Sequence, residues 1–214
     1  MKVLFFSYAY PNAAQPTLGT FNRSLLDALS RQHEVRVIAP VSFVDSIKSR
    51  LSGRSPFDDS YQAIPGVPAE YLPFYYPPKL FRDRYHDFLW RSVQSKLLDT
   101  ICSFRPDVIF SYWAHPHGAV AARAGRVCGI PVATMVGGSD VLVLGRTGKR
   151  RAAVLQALHQ ADAVVAVSRN IADTLLQDGI PRDKLHVVRR GIDRDTFAPG
   201  DQQEARRELG LPGN

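Results

Sequence analysis

Short runs of consecutive apolar residues alternate along the chain with longer stretches in which apolar positions return every three or four residues. The runs, among them VLFF, VRVIA, DVIF and AVVAV, predict strands at 2–7, 34–39, 107–111, 131–136, 162–168 and 184–189, with a weaker one at 69–74. Near-continuous apolarity suits parallel strands covered by helices on both faces. Between them, Phe21, Leu25, Ala28 and Leu29 form one helical stripe, and Trp90, Val93, Leu97, Ile101 and Phe104 another within 79–104. The Ala-rich stretch 119–128 predicts a helix able to approach a sheet closely, and Val154, Leu158 and Ala161 end a fourth stripe. A further helix begins after Ser168, a good N-cap, and stops at Gly179 with Pro181 beyond. The predicted class is α/β, a Rossmann-like parallel sheet with helices on both faces.

Two stretches break the pattern. Residues 43–78, with their prolines and aromatics, predict a long irregular insertion in a domain spanning 1–199. Residues 200–214 turn polar and read as a linker or the start of a further domain, with a short helix at 201–209. The 214 residues are 45% hydrophobic and 22% charged, as in an ordinary globular protein, which excludes a disordered tail, a collagen-like chain and a coiled coil. Cys102 and Cys128 form no CxxC pair, so reduced structural thiols and no metal are expected. The net charge of +7 raises encounter rates with anions of any kind, from phosphorylated metabolites to lipid surfaces. The apolar start is shorter than a signal peptide needs, and no stretch approaches the roughly 18 apolar residues of a membrane span. A cytoplasmic location follows as an expectation.

In open α/β sheets ligands bind beyond the carboxyl ends of the strands, so those loops hold the candidate chemistry. After the first strand, Gly19 and Thr20 open a helix and let a phosphate approach the helix N-terminus, or Gly19 simply permits a turn. The loop lacks GxGxxG, so a nicotinamide fingerprint is absent. After the fourth strand come Tyr112, Trp113, His115, His117 and Gly118. Two histidines with no acidic companion point away from a metal, and towards hydrogen bonding to a polyol, acid–base work near neutral pH, or packing on Trp113. Beyond the next strand, Gly138, Ser139 and Asp140 offer a close backbone approach and a carboxylate that either caps the next segment or binds a hydroxyl. Gly148-Lys149 lacks the glycine of a nucleotide-binding P-loop, since Val143 stands there, and Lys149–Arg151 reads as a solvated helix start or, as the second choice, a contact for an anion.

Taken together the loops resemble the N-terminal half of a family 4 retaining glycosyltransferase of the GT-B fold. The matching segments are MKVLFFSYAYP, PTLGTF, HEVRVIAP, RPDVIF, WAHPHG, GIPVATMVGGSDV, ADAVVAVS and the linker signature GIDRDTFAP at 191–199. Three positions depart from the common pattern: Tyr112 where many members have a histidine, Gly137 before GSD, and Arg190 before the linker glycine.

The resemblance implies transfer of a hexose from a nucleotide diphosphate sugar, as co-substrate and without other cofactor, to a saccharide or lipid-linked acceptor in cell-surface polysaccharide synthesis. By it, His115, His117 and Asp140 carry the catalytic side, and Gly19 and Thr20 the donor-phosphate loop. Tyr112, Trp113, Gly138 and Ser139 line the acceptor side, and Ser168, Arg190 and Gly191 close the cleft. The family's donor-binding basic residues and paired glutamates belong to a second domain, so the chain by itself is expected to be inactive.

A different class of reading is a non-catalytic module that binds an anionic membrane surface. It rests on Lys79, Arg82, Arg84, Arg91 and Lys96 interleaved with Phe81, Tyr85, Phe88 and Trp90. With a lipid-linked acceptor the two readings merge into a peripheral enzyme at the inner face of the plasma membrane. Half of a GT-B sugar-nucleotide epimerase, or of a phosphorylase of the same architecture, is a third reading, and nucleic acid is not expected as a partner, since no recognition motif is present.

Overall fold

The computed structural model of the chain describes residues 1–51, 53–58, 60–143, 148–193 and 197–212. Within them the apolar runs become strands β1 (Lys2–Phe6), β2 (Glu34–Ser42), β3 (Ala69–Phe74), β4 (Val108–Tyr112), β5 (Val132–Val136), β6 (Ala163–Ala166) and β7 (Leu185–Val187). They form one sheet in the order β3-β2-β1-β4-β5-β6-β7, every described pair parallel. The chain steps outward from β1 through β2 to β3, crosses to β4 on the other side of β1, and steps outward again. The connections leaving β1 and β4 therefore diverge, and a crevice opens between their carboxyl ends.

Alternation along β1 shows how the sheet is covered. Val3 and Phe5 point to one face with Leu26 of α1 (Thr20–Ser30), and Leu4 and Phe6 to the other. There they meet Leu89, Val93, Leu97 and Ile101 of α3 (Tyr85–Phe104) and Val120 and Ala124 of α4 (Ala119–Cys128). Around β6, Val154 and Leu158 of α5 (Gly148–Gln160) and Ile171 and Leu175 of α6 (Arg169–Gln177) build a third apolar cluster with Val164 and Ala166. Ser168 caps α6, its hydroxyl accepting from the Ile171 amide at 3.4 Å. Asp201 caps the short α7 (Gln202–Glu208) through the Glu204 amide at 2.8 Å.

Two expectations change. Residues 43–78 are more regular than their composition suggests: α2 (Phe43–Leu51) follows β2 directly, and β3 becomes the sheet edge. The α1 stripe is rotated by one position, with Asn22 and Leu26 fully buried while Phe21 and Ala28 are exposed. Asn22 turns inward because its amide donates to the Ala9 carbonyl at 2.7 Å, satisfying a buried acceptor that no backbone group reaches.

The close approach read from the Ala-rich helix is carried by Gly125, where a Cβ would overlap the Ile130 carbonyl and the Val132 side chain. Gly125→Val is expected to lower unfolding stability by roughly 2–3 kcal/mol, the upper range for overpacking against backbone, as read from the denaturant midpoint. An unchanged midpoint would mean that α4 rides further from the sheet.

Candidate functional site

The carboxyl ends of β1, β2, β3 and β4 surround a cavity of about 250 Å³. Tyr8 of the first loop, Asp45 of α2, Tyr85 of α3, Trp113 and His117 after β4, and Arg150 of α5 form its wall. The first loop is pinned locally: Asn12 Oδ1 accepts from the Ala14 and Gln15 amides at 3.0 and 2.9 Å, and the Tyr71 hydroxyl donates to the Pro11 carbonyl at 2.6 Å. Gly19 ends that loop at φ +64, and a Cβ there would overlap the Ala9 carbonyl. Its glycine is therefore required by packing, whatever lies above it. Thr20, the next residue, is exposed.

His117 is the group the geometry singles out. Its imidazole is buried, stacked on Tyr8 with ring centroids 5.0 Å apart, and neither nitrogen has a hydrogen-bond partner among the described residues. Burial, with a smaller contribution from the neighbouring His115, lowers its pKa to about 3. His115 is buried as well and shares a hydrogen bond of 2.9 Å with His86. Its pKa is also lowered to about 3, first by burial and then by the charges of His86 and Arg150. An imidazole held neutral in this way is a weak general base near pH 7 but an effective hydrogen-bonding group, able to donate from one nitrogen and accept at the other.

Asp140 is buried, and its carboxylate accepts from three backbone amides. One carboxylate oxygen accepts from the Gly137 and Gly138 amides at 3.2 and 2.9 Å, the other from Ala114 at 3.1 Å. Burial raises its pKa while these amides oppose the rise. The carboxylate thus ties the turn after β5 to the turn after β4. Gly137 lies against the Tyr112 hydroxyl where a side chain would not fit, Gly138 adopts φ +115, and Ser139 is exposed.

The remaining residues assemble a separate cluster over β4 and β7. The Arg190 guanidinium lies 3.9 Å from the Phe21 ring centroid and 5.1 Å from that of Tyr112. That contact explains why Phe21 faces outward from α1. Gly191 is exposed beside it, Ser168 is occupied in capping α6, and residues 194–196 of the linker signature lie outside the described residues, as do 145–147. Of the expected site residues, Trp113 and His117 line the cavity, with His115 packed behind them. Tyr112, Arg190 and Gly191 stand apart, and Gly138, Ser139 and Asp140 buttress the loops.

Sequence reasoning missed Tyr8 and Asp45, assigned Tyr85 only to a membrane-binding face, and read Arg150 first as part of a solvated helix start; it is half-buried in the cavity wall. Among the described residues no group of three His, Cys, Asp or Glu side chains is arranged to hold a metal, and no helix is long and apolar enough to cross a membrane.

The sequence profile of Glycosyltransferase Family 4 matches residues 18–196, most of the chain. The chain is a member of glycosyltransferase family 4. Its relatives include a teichuronic acid biosynthesis glycosyltransferase, TuaC, of Bacillus subtilis, 27% identical and covering 99% of this chain and 56% of that protein. An N-acetyl-α-D-glucosaminyl L-malate synthase of Bacillus anthracis is 24% identical over 66% of this chain and 35% of its own length. This family 4 chain thus spans about half, or less, of the curated relatives it matches. Among solved structures, Anabaena HepE in complex with UDP superposes with a TM-score of 0.60 at 17% identity, over 98% of this chain and 50% of that one. The UDP-GlcNAc 2-epimerase of Neisseria meningitidis gives 0.55 at 18% identity, over 87% of this chain and 46% of its own. At such identities these two structures speak to the fold, which is that of one half of a GT-B molecule.

The neutral histidines give the family 4 chain an acid sensitivity. Below about pH 6.5 an unfolded imidazole takes up a proton that the folded one refuses until about pH 3, so stability is full above that window and falls as pH drops through it. His117→Phe, which keeps an aromatic ring beside Phe6 and Tyr8, removes one such group. Its melting temperature should decline less steeply than wild type between pH 6.5 and 4; parallel declines would show that His117 already titrates in the folded chain.

Proposed function

We propose that the chain is the acceptor-side half of a retaining glycosyltransferase that moves a hexose from a nucleotide diphosphate sugar to a saccharide or lipid-linked acceptor in cell-surface polysaccharide synthesis. The observation that carries this reading is the cavity at the switch point. There a buried His117 with two unpartnered nitrogens faces a space walled by Tyr8 and Trp113. An unpartnered buried imidazole costs free energy until something hydrogen-bonds it, and a sugar hydroxyl, both donor and acceptor, supplies either need. Family membership supports the transferase over the epimerase reading. The names of the relatives, one in teichuronic acid synthesis and one a structure holding UDP, support a surface polymer and a nucleotide sugar.

In this reading His117 orients the attacking hydroxyl, His115 and His86 hold its loop, and Asp140 positions both loops without touching substrate. The acceptor oxygen bonds to the anomeric carbon as the bond from that carbon to the diphosphate breaks, and the hydroxyl proton leaves with the diphosphate. Basic side chains and helix N-termini, mainly of the complementary domain, stabilise that leaving group. Leu80 and Phe81, each about 60% exposed next to Lys79, Arg82 and Arg84, support docking to an anionic membrane bearing a lipid-linked acceptor, which flotation with anionic vesicles tests.

The 214-residue chain alone is expected to transfer no sugar. In a polypeptide extended by the complementary domain, His117→Phe should raise the acceptor KM by about 10-fold, the loss of one or two hydrogen bonds, and leave donor affinity unchanged. Steady-state kinetics with each substrate varied in turn check this. A change confined to the donor KM, or turnover by the 214-residue chain itself, would overturn the assignment.

A further inference from the structure

Resting on the acceptor-side reading of the cavity, we propose that its Arg150 end is a subsite for a negatively charged group on the acceptor, a carboxylate or a phosphate. Arg150 sits in the first turn of α5, half-buried, and its Nε is buried with no hydrogen-bond partner among the described residues. No carboxylate among the described residues lies within ion-pair distance of it. The charge it senses most is a like one, Arg82, and the one favourable neighbour is the Tyr85 phenol. A half-buried guanidinium at a cavity wall, with a like charge for a neighbour and no paired carboxylate among the described residues, is unfavourable when empty. An oxyanion accepting two parallel N–H bonds relieves it.

The neighbouring charges are otherwise committed. Arg151, the next residue, pairs with Asp178. Arg84 pairs with Asp87 at 3.5 Å, and Asp83 acts on His115. Asp45 lines the same cavity, but its carboxylate accepts from the Ser42 hydroxyl at 2.6 Å and its charge is felt at Tyr8, whereas Arg150 senses Arg82 and Tyr85. The wall therefore carries a carboxylate already bonded to Ser42 and, at its Arg150 end, a guanidinium with no paired carboxylate among the described residues. A neutral sugar gains nothing from the Arg150 end. A uronic acid or a sugar phosphate does.

The test is an NMR titration of the 214-residue chain with methyl glucuronoside, methyl glucoside and glucose 6-phosphate. Wild type should bind at least one of the charged sugars about 10-fold or more tightly than the neutral one, as expected for a charge-assisted bidentate contact. Whichever charged sugar gains more identifies carboxylate or phosphate as the source. Arg150→Gln should erase the preference, and Arg150→Lys should keep part of it. Arg82→Gln, at an exposed position that leaves the fold intact, should reduce the preference severalfold. Equal binding of all three sugars with shifts at Trp113 and His117, or a preference that survives Arg150→Gln, would overturn the charged subsite and leave the acceptor reading standing. No binding, or shifts remote from Trp113 and His117, would overturn both.

Discussion

The carboxylate of Asp140 holds three backbone amides that come from two different strand ends, those of Gly137, Gly138 and Ala114. Removing it would leave two buried donors and a partly buried one without this acceptor, each buried one costing on the order of 1–3 kcal/mol. The consequence is geometric as much as energetic. Ala114 immediately precedes His115, so the tie fixes where the histidine loop leaves β4. Glycines complete the interlock: Gly118 abuts the Thr134 side chain and Gly137 the Tyr112 hydroxyl, so the two turns fit only because these positions lack a Cβ. A carboxylate that is buried and holds three amides acts here as a brace.

What the brace supports is a pair of histidines placed where imidazole is normally expensive to leave unpartnered. His115 offsets its burial through His86, but His117 does not, and stacking on Tyr8 supplies no hydrogen bond. Desolvation decides the protonation state: with both rings neutral, the loop avoids two like charges side by side and presents His117 as a polar contact in an aromatic wall. The switch-point topology explains why the cavity sits there at all, because only beside β1 and β4 do the connections diverge to leave room.

The sheet was legible in the sequence because buried parallel strands must be apolar on both faces, and VLFF, VRVIA and AVVAV have no other use. The candidate loops were legible because glycines, histidines and aromatics cluster at strand ends. What failed shares one cause, that a side chain's burial depends on partners distant in sequence. Phe21 satisfied a helical stripe by spacing, yet it faces Arg190, 169 residues later, while Asn22 went inside to meet the Ala9 carbonyl. Arg150 could not be told from Lys149 and Arg151 by composition; one turns to Asp178, and one lines a cavity with Arg82 for company. The prolines of 43–78 concealed α2, whose first turn Asp45 and Ser42 cap reciprocally at 2.6 and 3.0 Å.

The central claim is that the crevice between β1 and β4 is where this family 4 chain receives its acceptor. Amide hydrogen exchange with and without a saturating saccharide tests it most directly, since it reports location independently of turnover. The account predicts added protection in residues 8–18 and 113–118, with little change along α4 and α6. Protection confined to the opposite, amino-terminal edge of the sheet, or to the groove between α3, α4 and α5, would contradict it.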